Sequence, residues 1–295
     1  MSHRIEPFYF SGLPGWRLHF NQAVVDICAQ GAQILGYQPH PAKPPVLWRS
    51  PTDPYRRGTS VRGGIPICWP WFGDIQRNPQ SVQDCVKGEA IFHGLARTLN
   101  WQLQEQHLSS NFVSLTLVLD TALGLTHWPH KARLTLKVTL SDQLELSLTN
   151  HNLGTYPLMI SQALHSYYAV GDVEQVSIAE LDGCGYIETL AGWEQRQQQG
   201  ALRIQGELDR IYQSTPNRLV IQDKAWARCI QLQSNNANSV ILWNPSHIKS
   251  QNRIGLENNV WRNFLCVETA NVLDDALWLE PNASHQMQLK IKVLD

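Results

Sequence analysis

Apolar and polar residues alternate with a period of two through most of this chain, and that pattern limits its fold more than any other feature. The alternation is clear in Phe112–Leu119 (FVSLTLVL), Arg133–Leu140 (RLTLKVTL), Leu144–Leu148 and Gln286–Leu294 (QMQLKIKVL). Successive side chains of a strand point to opposite faces, so each segment buries one face and wets the other. Clusters of Gly, Pro, Asn and Asp, as in 152–157 and 182–185, divide the segments. No stretch longer than about ten residues carries a helical stripe. The chain is therefore expected to be all-β, an antiparallel β-sandwich. Arg133–Leu140 and Leu144–Asn150 should form a hairpin across Ser141-Asp142-Gln143. Loops are expected at His40–Pro45 and Ser50–Gly58, and a surface excursion at Trp193–Gly200. None is long enough to link domains, so residues 1–295 are read as one domain.

Charge excludes several functions. Lys and Arg number 24 against 25 Asp and Glu, a formal net charge of -1, so no global field attracts nucleic acid or an anionic membrane. Met1–Phe10 lacks the basic flank and long apolar core expected of a signal peptide, and no apolar run approaches the roughly 20 residues that span a bilayer. A cytoplasmic monomer acting on a small molecule is expected. The six cysteines are scattered without a CxxC pair, signalling neither a zinc site nor a disulfide framework, and no metal or cofactor is expected.

Four segments carry candidate chemistry. In Ser60–Gly73 (SVRGGIPICWPWFG), two prolines and the Gly63-Gly64 pair preclude an ordinary strand and predict a shaped loop that presents Arg62. A turn with Arg62 in a solvated ion pair fits the same residues. Phe92–Trp101 (FHGLARTLNW) brings His93 and Arg97, and two arginines brought together could grip phosphate oxygens. His93 could equally be structural. Ser161–Val170 (SQALHSYYAV) reads as a strand with Ser161, Ala163, His165 and Tyr167 on one face. There His165 is either a general acid or a core histidine bonded to backbone. Phe264–Ala270 (FLCVETA) places Cys266 and Glu268 on one face and Leu265 and Val267 on the other. A carboxylate in such an apolar run either meets a cation or acts as a base. Asp209, in Glu207–Tyr212 (ELDRIY), could accept sugar hydroxyls or pair with Arg210.

Taken in order, VRGGIPICWPWFG, HGLAR, ALHSYY, DRIY, VILWNP and FLCVETA resemble the glucose-6-phosphate 1-epimerase (hexose-6-phosphate mutarotase) family of the aldose 1-epimerase-like superfamily, from about Asp26 to the C-terminus. The resemblance implies a galactose-mutarotase-like supersandwich. It implies His165 and Glu268 as catalytic residues and Arg62, Arg97, Asp209 and His93 as substrate contacts. Phe92 departs from the glutamine or small polar residue that members often carry before HG, and Ser246–Asn263 is unfamiliar around Ile254–Val260.

Mutarotation needs one group to take the anomeric O1 proton and another to protonate the ring oxygen. The expected roles are an ionised Glu268 at O1 and a protonated His165 at O5, acting on a hexose 6-phosphate. Three other readings compete: an epimerase of free sugars, a silent carbohydrate-binding sandwich, and a cupin-like metal enzyme using His93, His165 and Glu268. Tight HxH spacing, which would favour the last, is absent.

Overall fold

The computed structural model describes residues 3–53, 55–250, 256 and 259–294. Two large antiparallel sheets form the body. One has nine strands, in the order Leu202–Arg203, Val176–Ile178, Arg218–Asp223, Arg228–Asn235, Ser284–Leu294, Leu144–Asn152, Ala132–Leu140, Val113–Asp120 and Gln102–Leu108. The other has eight. Its path runs Glu194–Gln197, Gly185–Glu188, Leu208–Gln213, Ser239–Asn244, Phe264–Asn271, Gln162–Leu164 and Ile67–Cys68, with Tyr167–Ala169 also paired to Phe264–Asn271. A four-stranded sheet (Arg4–Phe10, Leu13–Phe20, Ala23–Cys28, Ile34–Gln38) and the pair Leu158–Ile160 with Leu277–Leu279 complete the architecture. Helices among the described residues are single turns such as Gln80–Gln83, and none is long and apolar enough to cross a membrane.

The alternation read from sequence sets the layers. Leu134, Leu136, Val138 and Leu140 of the nine-stranded sheet and Tyr212, Leu242, Leu265 and Val267 of the eight-stranded sheet share one buried core. The expected hairpin forms, with Leu140 opposite Leu144. Within Phe264–Asn271, Leu265 and Val267 point into that core, whereas Cys266 joins a smaller apolar cluster on the opposite face. A slip of one residue would drive Glu268 into the core and expel two apolar side chains worth roughly 1.5–3 kcal/mol each. The register is therefore strongly specified.

Two expectations need correction. Ser161–Val170 is not one strand, because the ladder is interrupted between Leu164 and Tyr167, where the Ser166 N–H turns back to Leu164 O at 2.8 Å. Trp193–Gly200 is not merely a surface excursion. Its Glu194–Gln197 is the exposed edge strand of the eight-stranded sheet, paired with Gly185–Glu188. Of the unfamiliar stretch Ile254–Val260, residues 254, 255, 257 and 258 lie outside the described residues.

Candidate active site

The outer face of the eight-stranded sheet forms the floor of a cavity of about 730 Å³, lined by His165, Glu268, Arg62, Arg97, Asp209 and His93 together. Register places the two central residues. Leu164 is opposite Thr269 and Tyr167 opposite Cys266, so one step on from the first pair, or two back from the second, sets His165 against Glu268. Their side chains meet, with His165 Nε2 3.4 Å from Glu268 Oε1. The neighbouring strands continue the floor with Ile241 opposite Glu268 and Asp209 opposite Trp243.

Loops build the walls. The Arg-Gly-Gly-Ile-Pro segment docks along the His165 strand, with the His165 N–H donating to Pro66 O (2.9 Å) and the Tyr167 N–H to Gly64 O (2.8 Å). Gly64 adopts φ 63° and lies so close to the neighbouring backbone that a Cβ there would sit 2.0 Å from Ile34 O. Only glycine fits. Arg62 is held at its backbone, where its N–H donates to Asp53 Oδ2 at 2.6 Å. The guanidinium of Arg97 donates to Phe92 O at 2.6 Å. No carboxylate among the described residues pairs with either arginine, so the ion-pair reading of Arg62 fails. Nor does Asp209 pair with Arg210, which turns to the other face and meets Glu188 at 2.8 Å.

Burial governs the charges. Glu268 is held well above the usual carboxylate range, first by burial and then by the neighbouring negative charge of Asp209. His165 is pushed down to about 3, chiefly by burial and then by Arg97, with Arg62 adding to the effect. Both shifts favour the uncharged form of each group, and so run against the expected ionised glutamate and protonated histidine, because burial penalises charge. His165 Nδ1 and Glu268 Oε2 are buried without a hydrogen-bond partner. Such groups are rare in folded interiors and mark places prepared for a ligand.

His93 packs edge-on against His165, with ring centroids 5.2 Å apart. Its Nδ1 accepts from the Gly73 N–H at 3.1 Å, which leaves the ring proton on Nε2. Burial, His165 and Arg97 together keep it neutral. Tyr167 stacks on His165, 4.9 Å between centroids at 9°.

Sequence reasoning missed several wall residues: Thr189, Trp193, Arg77 and Lys249. The Arg77 guanidinium lies 4.9 Å over the Trp193 ring. A single tryptophan ahead of a polar run carries no local signal of a site, and only the strand pairing brings it there. Cys266, placed by the sequence on the face of Glu268, is fully buried in an apolar cluster with its thiol beside the central pair.

A sandwich whose outer face sets an imidazole against a carboxyl, beneath two arginines with which no carboxylate among the described residues pairs, has the groups that acid/base work on a sugar requires. The profile of the Aldose 1-epimerase family matches residues 16–292, and the chain belongs to that family. An Escherichia coli protein named "Putative glucose-6-phosphate 1-epimerase" is 30% identical over 251 residues, covering 84% of this chain and 80% of its own length. A Haemophilus influenzae protein of the same name is 31% identical, covering 79% and 76%. The crystal structure of a Salmonella typhimurium protein described as a "putative mutarotase" superposes with a TM-score of 0.86 at 26% identity, covering 99% of this chain and 94% of that one.

Proposed function

We propose that this enzyme interconverts the α and β anomers of a hexose 6-phosphate, glucose 6-phosphate foremost, with His165 and Glu268 as the acid/base pair. The observation that carries the reading is the 3.4 Å approach of His165 Nε2 to Glu268 Oε1 on the floor of a cavity walled by two arginines without carboxylate partners among the described residues. Glu268 takes the O1 proton while His165 donates to O5, and the ring opens to the aldehyde. Rotation about C1–C2 and reclosure with the roles reversed gives the other anomer. The sugar itself shifts the resting proton. A hydroxyl donating to the unpartnered Glu268 Oε2 favours the carboxylate, and a ring oxygen accepting from the imidazole favours its protonated form. General acid/base catalysis supplies about 10² to 10⁴ per well-placed group, so neither a metal nor a nucleotide is needed. Arg62 and Arg97 hold the phosphate, while Asp209 and His93 bind hydroxyls.

Saturation transfer between anomeric NMR signals of glucose 6-phosphate, glucose and galactose tests the reading. Fast exchange confined to the phosphate is expected. Fast exchange on the free sugars would retain the chemistry and remove the phosphate role, and none on any of the three would favour a silent binding module. Arg97→Ala should raise KM for glucose 6-phosphate roughly 10- to 100-fold, the loss of one charge-assisted contact, with little change for glucose. Equal effects on both sugars would remove Arg97 from the phosphate.

A further inference from the structure

Cys266 has no part in the ring-opening chemistry and does not line the cavity, yet its buried thiol lies against both groups that do. It lies two residues before Glu268 on the same strand and therefore on the same face, and it is paired in register with Tyr167, the residue stacked on His165. One ligand atom from each of His165, Cys266 and Glu268 falls within 4.8 Å of the other two. All three residues are buried, at 7%, 0% and 1% exposure.

We propose that Cys266 turns the acid/base pair into a binding site for a thiophilic divalent cation such as Zn²⁺, whose occupancy excludes the sugar and arrests turnover. The proposal rests on reading His165 and Glu268 as the catalytic pair. A nitrogen, a sulfur and a carboxylate oxygen are the donors such ions favour. Around zinc they stand roughly 2.0–2.3 Å from the metal and hence about 3.4–3.7 Å from one another. The three side chains need close by only about 1 Å, within the reach of small rotations about their χ angles. Two ligand atoms come from one rigid strand and the third from its neighbour, so the donors are preorganised. Water from the adjoining cavity, which His165 and Glu268 line, would complete the tetrahedron.

Binding balances simply. The ion enters, the Cys266 thiol and the Glu268 carboxyl each release a proton to solvent, and the resulting thiolate and carboxylate neutralise its two charges. His165 is already neutral and ligates without losing a proton. Arg62 and Arg97 oppose the ion and Asp209 favours it, so the thiolate decides between binding and rejection. The cation engages both catalytic groups at once, which makes it competitive with the sugar.

The test uses the purified enzyme with two probes. Zn²⁺ titrated against glucose 6-phosphate turnover should inhibit, with full recovery on adding a chelator. Cys266→Ala and Cys266→Ser should keep turnover within about twofold and weaken inhibition by at least about tenfold, the loss of one of three ligands. Co²⁺ provides a readout independent of turnover. The wild type should show a thiolate-to-cobalt charge-transfer absorption that both variants lack and that glucose 6-phosphate suppresses. Absence of that absorption in the wild type, or equal zinc inhibition of wild type and both variants, overturns the proposal. If instead no sugar is turned over, the functional reading fails while the cobalt absorption still decides the metal site.

Discussion

Glu268→Gln is expected to lower kcat for anomer exchange by about 10² to 10⁴ while leaving sugar-phosphate binding within a few-fold of wild type. The amide keeps the shape of the side chain but can neither take the O1 proton nor return it. The same substitution should make the protein more stable at neutral pH. Burial raises the Glu268 carboxyl well above its ordinary 4.5, so the folded state holds a proton that the unfolded chain releases. A raised carboxyl favours the fold below about pH 4.5 and loses that advantage as pH rises toward its folded value. Glutamine does not ionise. The gap in stability between variant and wild type should therefore be small near pH 4 and widen toward pH 7. His165 behaves oppositely, since a value depressed to about 3 adds stability above its ordinary 6.5 that fades as pH falls toward 3. Turnover assays with thermal melts across pH check both halves. Wild-type kcat in Glu268→Gln would remove Glu268 from the chemistry, and a pH-independent difference in melting would show that its carboxyl is not held protonated.

Gly64→Ala should cost roughly 3–5 kcal/mol, combining a strained positive φ with a clash against backbone that cannot move aside. The new Cβ would lie 2.0 Å from Ile34 O, within the loop whose Gly64 O accepts from the Tyr167 N–H. Relieving the clash moves the loop away from the strand that carries His165, so activity should fall with stability. Gly183→Ala is the control. It has φ 77° and nothing within 4 Å of the added carbon, so it should cost only about 1–2 kcal/mol. Urea unfolding midpoints at unchanged slope separate the two. Equal losses would mean that backbone strain alone, and not the close packing of the loop, requires glycine at 64.

The sheet faces were legible in the sequence because alternation is a local signal. FLCVETA alone puts Glu268 and Leu265 on opposite sides, and the structure agrees. The catalytic and substrate-binding candidates were legible from VRGGIP, HGLAR, ALHSYY, DRIY and FLCVETA, and all six line one cavity. What could not be read depends on strands distant in sequence. Trp193 reaches the wall only because its edge strand pairs with Gly185–Glu188, and Arg210 leaves Asp209 alone because Glu188 sits opposite it. The interruption at His165-Ser166 carries no Gly or Pro to announce it. The upward shift at Glu268 follows from a degree of burial that composition does not reveal.

The placing of His165 against Glu268, at the break between two ladders made with the same central strand, separates two kinds of evolutionary change. The spacing of the reactive groups is set by ladder geometry between central strands, and drift there is penalised by the whole apolar layer beneath. The surrounding recognition elements hang on loops such as Ser50–Gly58 and Phe92–Arg97, which can lengthen, shorten or change sequence without disturbing that spacing. A lineage built on this scaffold can therefore trade one sugar for another by remodelling its rim, and grafting a relative's rim onto this frame should transfer preference while the proton chemistry stays in place.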